Sequence, residues 1–225
     1  MTTASTIRSD EDLQRDVLAE LAWDAQIQPN EIGVVVAEGV VTLTGWVESY
    51  ARKWAAEQAA HRVRGVRAVA NDVQVRLTGS AERTDEEIAL AATRGLEWDS
   101  FVPVERLDVT VSNGWLMLRG EVEWHYQKRA AERAVRRMSG VRGVTNLINV
   151  RPHPTPSRDD LSGRIRDALM RSAETDADLI TIEVMDDTVV LQGTVRSWSE
   201  RQEAERIAWS APGVAEVESR LTVAT

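Results

Sequence analysis

The chain has 225 residues, with 27 Lys plus Arg against 36 Asp plus Glu and a formal net charge of −9. With 43% hydrophobic and 28% charged residues it has the composition of a folded chain, which excludes wholesale disorder. An acidic excess argues against bulk electrostatic binding of nucleic acid, and the lack of cysteine excludes disulfides, thiolate nucleophiles and Cys-ligated metal sites. The first nine residues lack the apolar core of a secretory signal, so the expected location is cytoplasmic. The longest uncharged run, residues 109–118, is ten residues and too short to cross a bilayer.

Internal repetition organises everything else. Gly39, Gly45 and Gly65 recur 75 residues later as Gly114, Gly120 and Gly140, and a further 73 residues carry the last two to Gly193 and Gly213. The same offsets take Leu43 to Leu118 and Leu191, and Glu57 to Glu132 and Glu205, while Trp23-Asp24 returns as Trp98-Asp99. After a tail over residues 1–9, three units are expected at 10–77, 84–151 and 158–224.

Each unit reads the same way from its start. A Ser or Thr three residues before an acid (Ser9 and Asp12, Thr84 and Glu87, Ser157 and Asp160) marks a helix N-terminus. Apolar residues at i, i+4 and i+8 (Leu13, Val17, Leu21 and their equivalents) predict one buried stripe on that helix. A period of two in Ile32, Val34, Val36 predicts a strand, and Glu38-Gly39, Asn113-Gly114 and Asp186-Asp187 suit tight hairpins. The second strand puts Val41, Leu43, Gly45 and Val47 on one face, where the glycine is expected to let a helix approach closely. A second helix with small inner residues follows (Ala56, Ala59, Ala60, Val63), then Gly65, Gly140 or Gly213 as its stop, then a third strand. The expected fold is α+β: three tandem αββαβ units, each with two helices on one face of a three-stranded mixed sheet. The linkers are residues 78–83, expected to be flexible, and the proline-rich 151–157, expected to be stiffer.

This pattern resembles the BON domain family of bacterial osmotically inducible and nodulation proteins. The resemblance rests on the element order and on the stretch from Val41-Thr-Leu-Thr-Gly45-Trp-Val47 through Gly65-Val66 to Asn71, repeated at 116–146 and 189–219. It implies attachment to phospholipid surfaces and a part in osmotic or envelope stress, with no shared catalytic motif.

The residues themselves point away from an enzyme. His61, His125 and His153 fall at unrelated repeat positions, and no Ser/His/Asp set, phosphate-cradling glycine loop or HExxH pattern is present, so neither metal nor cofactor is expected. The recurrent Glu57, Glu132 and Glu205 are either a repeated ligand or cation site, or carboxylates bonded to nearby backbone or arginine. Asn71, Asn146 and Ser219, which interrupt strand three, are expected to satisfy local hydrogen bonds.

Charge on the second helix separates the units. Residues 125–143 carry Lys128, Arg129, Arg133, Arg136, Arg137 and Arg142 against Glu132 alone, a formal +5; residues 49–67 reach +4 and 198–216 fall to −2. Arg129, Arg133, Arg136 and Arg137 should share one exposed stripe, able to meet anionic lipid head groups or to pair with the acidic first helices. Eight of the eleven aromatics are tryptophan. Trp124 and Tyr126 in the second unit, and Tyr50 and Trp54 with Arg52 and Lys53 in the first, complete the candidate lipid-facing set. Trp46, Trp115 and Met117 lie on the sheet face away from the helices and are candidates for packing between units. The expectation is a non-enzymatic module whose partner is anionic phospholipid or, alternatively, a protein bound through the outer sheet faces.

Overall fold

The computed structural model describes residues 8–27, 31–152 and 161–224. Unit one comprises α1 (Asp10–Trp23), β1 (Ile32–Ala37), β2 (Val40–Val47), α2 (Tyr50–Arg62), β3 (Ala68–Asn71) and β4 (Gln74–Val75). Unit two comprises α3 (Asp85–Trp98), β5 (Leu107–Ser112), β6 (Trp115–Val122), α4 (His125–Val135) and β7 (Gly143–Val150). Unit three comprises α5 (Leu161–Arg171), β8 (Ile180–Met185), β9 (Thr188–Val195), α6 (Trp198–Trp209) and β10 (Glu216–Val223).

Local chemistry explains where these elements begin. The Ser9 hydroxyl accepts from the Asp12 N–H, and Thr84 and Glu87 close a reciprocal capping box, so both helices start at the expected residues. The equivalent Ser157 and Asp160 lie outside the described residues. The stripes Leu13, Val17, Leu21, then Ile88, Ala92, Leu96, then Leu161, Ile165, Leu169 are all buried. The first-turn carboxylates have a second use that periodicity does not reveal. Asp10 accepts from the Glu38 and Gly39 N–H groups at 2.8 and 3.0 Å, and Asp85 from Asn113 and Gly114, both at 2.8 Å. Each helix start is thereby tied to its hairpin turn, where Glu38 and Asn113 hold φ of 51°.

In every unit the middle strand pairs antiparallel with the strand before it and parallel with the one after the second helix. The third strand of unit one is interrupted at residues 72–73, yet β3 and β4 keep one register on β2, Leu43 opposite Asn71 and Trp46 opposite Gln74. Both helices cover the same sheet face, and three separate apolar cores result.

Gly45, Gly120 and Gly193 do not serve helix approach, as expected from their inner-face position. They hold φ of 113°, 130° and 136°. A Cβ at each would fall inside contact with the backbone carbonyl oxygen that leads into the partner strand, from Glu31, Arg106 and Leu179 respectively. The neighbour that demands glycine is therefore another strand's main chain. The turn glycines Gly65, Gly140 and Gly213 also lie beyond the helix ends, in the turn to the third strand, since α2, α4 and α6 stop at Arg62, Val135 and Trp209. Because backbone cannot yield as a flexible side chain can, Gly120→Ala should destabilise unit two by about 2 kcal/mol or more. Gly79→Ala, with open space around it, should be near neutral in the same urea titration.

Candidate anion-binding site

The second helices α2, α4 and α6 are where the units meet. The Arg136 guanidinium, at the C-cap of α4, sits 3.6 Å from the centroid of the Trp54 ring on α2. His61 of α2 stacks on Trp198 of α6 with centroids 4.3 Å apart, and His125 of α4 stacks on Trp209 of α6 at 4.2 Å. Tyr50 packs against the core of unit two, and burial there pushes its hydroxyl pKa up. Each pair of units thus shares at least one ring contact.

These contacts revise part of the expected lipid-facing set. Tyr50, Trp54 and Arg136 lie between units, so Arg136 leaves the exposed stripe. Arg52 is paired with Glu48 at 3.1 Å, and Lys53 is half-buried with its carbonyl accepting from Asn71. Arg129 and Arg133 are exposed and border a cleft of about 1080 Å³ walled by all three second helices, so they face a recess between units. Trp124 and Tyr126 are at its edge, with Tyr126 in an edge-to-face contact with Phe101. Arg137 and Arg142 lie past the end of α4 and are exposed.

Pairing divides the cations sharply. Arg62 bridges Glu20 and Asp24, Arg201 meets Glu205, and Arg206 meets Glu203. Lys128, Arg129, Arg133, Arg137 and Arg142 make no ion pair among the described residues. The acids of neighbouring first helices do not pair with them, so a cluster of unpaired cations stands on and just beyond α4 of an acidic protein.

The outer-sheet tryptophans lie on the expected face but not in a contact between units. Trp46 lies under the Arg76 guanidinium of its own unit, Trp115 is 50% exposed and donates from Nε1 to the Thr145 hydroxyl at 2.8 Å, and Met117 is half-buried on the same face. Packing between units runs instead through the second-helix rings. The repeated glutamates are also accounted for. The Asn71 amide donates to Glu57 at 3.0 Å and that of Asn146 to Glu132 at 3.1 Å. In unit three, Arg201 substitutes for the amide, reaching Glu205 at 2.9 Å and the Ser219 carbonyl at 3.2 Å. Glu57 and Glu132 latch their helices to strand three of their own units, Arg201 does so in unit three while held by Glu205, and no group of three or more metal-ligating side chains occurs among the described residues.

Sequence reasoning passed over several residues that matter here. Trp98, the last residue of α3, is 92% exposed, and Phe101, against Tyr126 near the start of α4, is 57% exposed. The signal for Trp98 was its place two residues after Leu96, off the buried stripe. Trp209, Gln58 and Gln202 also border the cleft, and no local pattern marks them. No helix among the described residues is long and apolar enough to cross a membrane.

A sequence model of the BON domain matches residues 9–76, 84–152 and 157–225, and the chain belongs to the BON domain family. It is 30% identical over 157 residues to osmotically-inducible protein Y of Escherichia coli strain K12, covering 67% of this chain and 77% of that protein. Two chains of CdsD, a structural protein of the type III secretion system of Chlamydia trachomatis, align over 95% and 97% of this chain and 92% and 100% of their own. Identities there are 12% and 10% with TM-scores of 0.27 and 0.26, too low to bear on how the units are arranged.

The two histidines give the junction a pH dependence. Burial, then the Arg129 and Lys128 charges, pushes His125 down to about 4, and burial also lowers His61. Freed imidazoles titrate near their ordinary value of about 6.5. Separated units therefore take up protons that docked units exclude, and docking weakens as pH falls from about 6.5 towards about 4. Small-angle scattering should show the chain extending over that window, and His125→Phe should shrink the pH-dependent change.

Proposed function

We propose that this chain is a non-enzymatic binding module that attaches peripherally to anionic phospholipid surfaces through unit two. The observation that carries this reading is the cluster of Lys128, Arg129, Arg133, Arg137 and Arg142, none of which makes an ion pair among the described residues. The same unit exposes the rings of Phe101 and Tyr126, which share the cleft with Arg129 and Arg133, and of Trp98 at the end of α3. Cations near an anionic bilayer contribute about 1 kcal/mol each, and aromatic rings settle at head-group depth. Membership of the BON family and likeness to an osmotically inducible protein support a place in the response to osmotic stress.

Flotation with phosphatidylglycerol and phosphatidylcholine vesicles tests it. Binding should require the anionic lipid, fall with salt, and drop at least about tenfold in R137E/R142E, with a further loss in Trp98→Ser. Salt-insensitive binding, or binding unchanged in both variants, would remove unit two as the attachment face. A second reading, docking of a protein on the outer sheet of unit two, draws on the half-exposed Trp115 and Leu147. Sedimentation velocity showing self-association lost in Trp115→Ser, with vesicles having no effect, would select it.

A further inference from the structure

We propose that the cleft between α2, α4 and α6 is a binding site for a nucleoside phosphate. Arg129 and Arg133 stand one helical turn apart on α4, both bordering the cleft and both without an ion-pair partner among the described residues. Two adjacent guanidinium forks with free N–H groups are a site for a phosphate-like oxyanion. Of the other charges on the cleft wall, Arg206 is held by Glu203 at 2.6 Å and Arg136 is stacked on Trp54, while the single carboxylate, Glu132, accepts from Asn146 at 3.1 Å and is outnumbered by the guanidiniums.

The rest of the wall asks for more than a bare anion. Trp124, Tyr126 and Trp209 supply aromatic surface on the α4 and α6 sides. Gln58 from α2 and Gln202 from α6 border the same space, and their amides make no hydrogen bond among the described residues. An amide offers a donor and an acceptor side by side, which matches the edge of a nucleobase, and aromatic rings accept its face. The cleft, at about 1080 Å³, has room for such a ligand. A bilayer, being broad, would reach the protruding residues around the recess more readily than its walls. The net charge of −9 favours a small phosphate over a polynucleotide. Because the walls come from three units, an occupant would also tie the units together.

Calorimetric titration of the full chain with AMP, GMP, CMP and UMP, with adenosine and inorganic phosphate as controls, tests the site. At least one monophosphate should bind one to one, about tenfold or more tighter than either control. R129A/R133A should weaken it by about tenfold or more while leaving the circular dichroism spectrum intact, since both side chains are exposed. Q58A/Q202A should weaken the monophosphate by about threefold or more and leave phosphate binding unchanged. Failure of all four monophosphates at millimolar concentration, or equal binding by R129A/R133A, would overturn the proposal. Vesicle flotation of the same proteins separates the two readings. Vesicle binding without nucleotide binding overturns the cleft and leaves membrane attachment standing, and the reverse result does the opposite.

Discussion

The arrangement depends on flat side chains packed across the second helices: guanidinium on indole at Arg136 and Trp54, imidazole on indole at His61 with Trp198 and His125 with Trp209. Each unit of roughly 70 residues encloses a core of limited size, and domains near that size are marginal alone. Joining them through aromatic faces adds buried surface where the second helices would otherwise be wet on one side. It also fixes what lies between them. With α2, α4 and α6 held together, the unpaired cations of α4 border a recess whose other walls are rings and amides.

Most of a unit was legible because its signals are local. Period two in Ile32, Val34, Val36 and the i, i+4, i+8 spacing of Leu13, Val17, Leu21 report burial directly, and all but the half-buried Val36 are fully buried. Gly45, Gly120 and Gly193 show where local reading stops. Their position on the inner face was clear, but the atom that excludes a Cβ belongs to the lead-in to another strand. The Asp10 and Asp85 bonds to the hairpin turns were hidden for the same reason, being contacts over 28 and 29 residues.

The site was less legible than the fold. Helical spacing places Arg129, Arg133 and Arg136 on one face, but it is silent on what stands opposite that face. Arg136 meets Trp54 of another unit, and the helix has already ended at Val135. Charge counting shows the second helix of unit two and the turn after it to be the most basic stretch, but it is silent on pairing: Arg62, Arg201 and Arg206 are held by carboxylates, while Arg129 and Arg133 make no ion pair among the described residues. Exposure of Trp98 could have been inferred from its offset from the buried stripe. The role of Gln58 and Gln202 could not, because it exists only once two units have docked.

The second helices converge within one chain, and the lack of native cysteine makes that convergence directly testable. Gln58→Cys with Gln202→Cys places one thiol on each side of the cleft, in otherwise thiol-free protein. A short bifunctional maleimide at dilute protein should close an intramolecular bridge in high yield, with unfolded chain giving little. Only intermolecular products, or the same low yield from folded and unfolded chain, would contradict the arrangement on which the site is built.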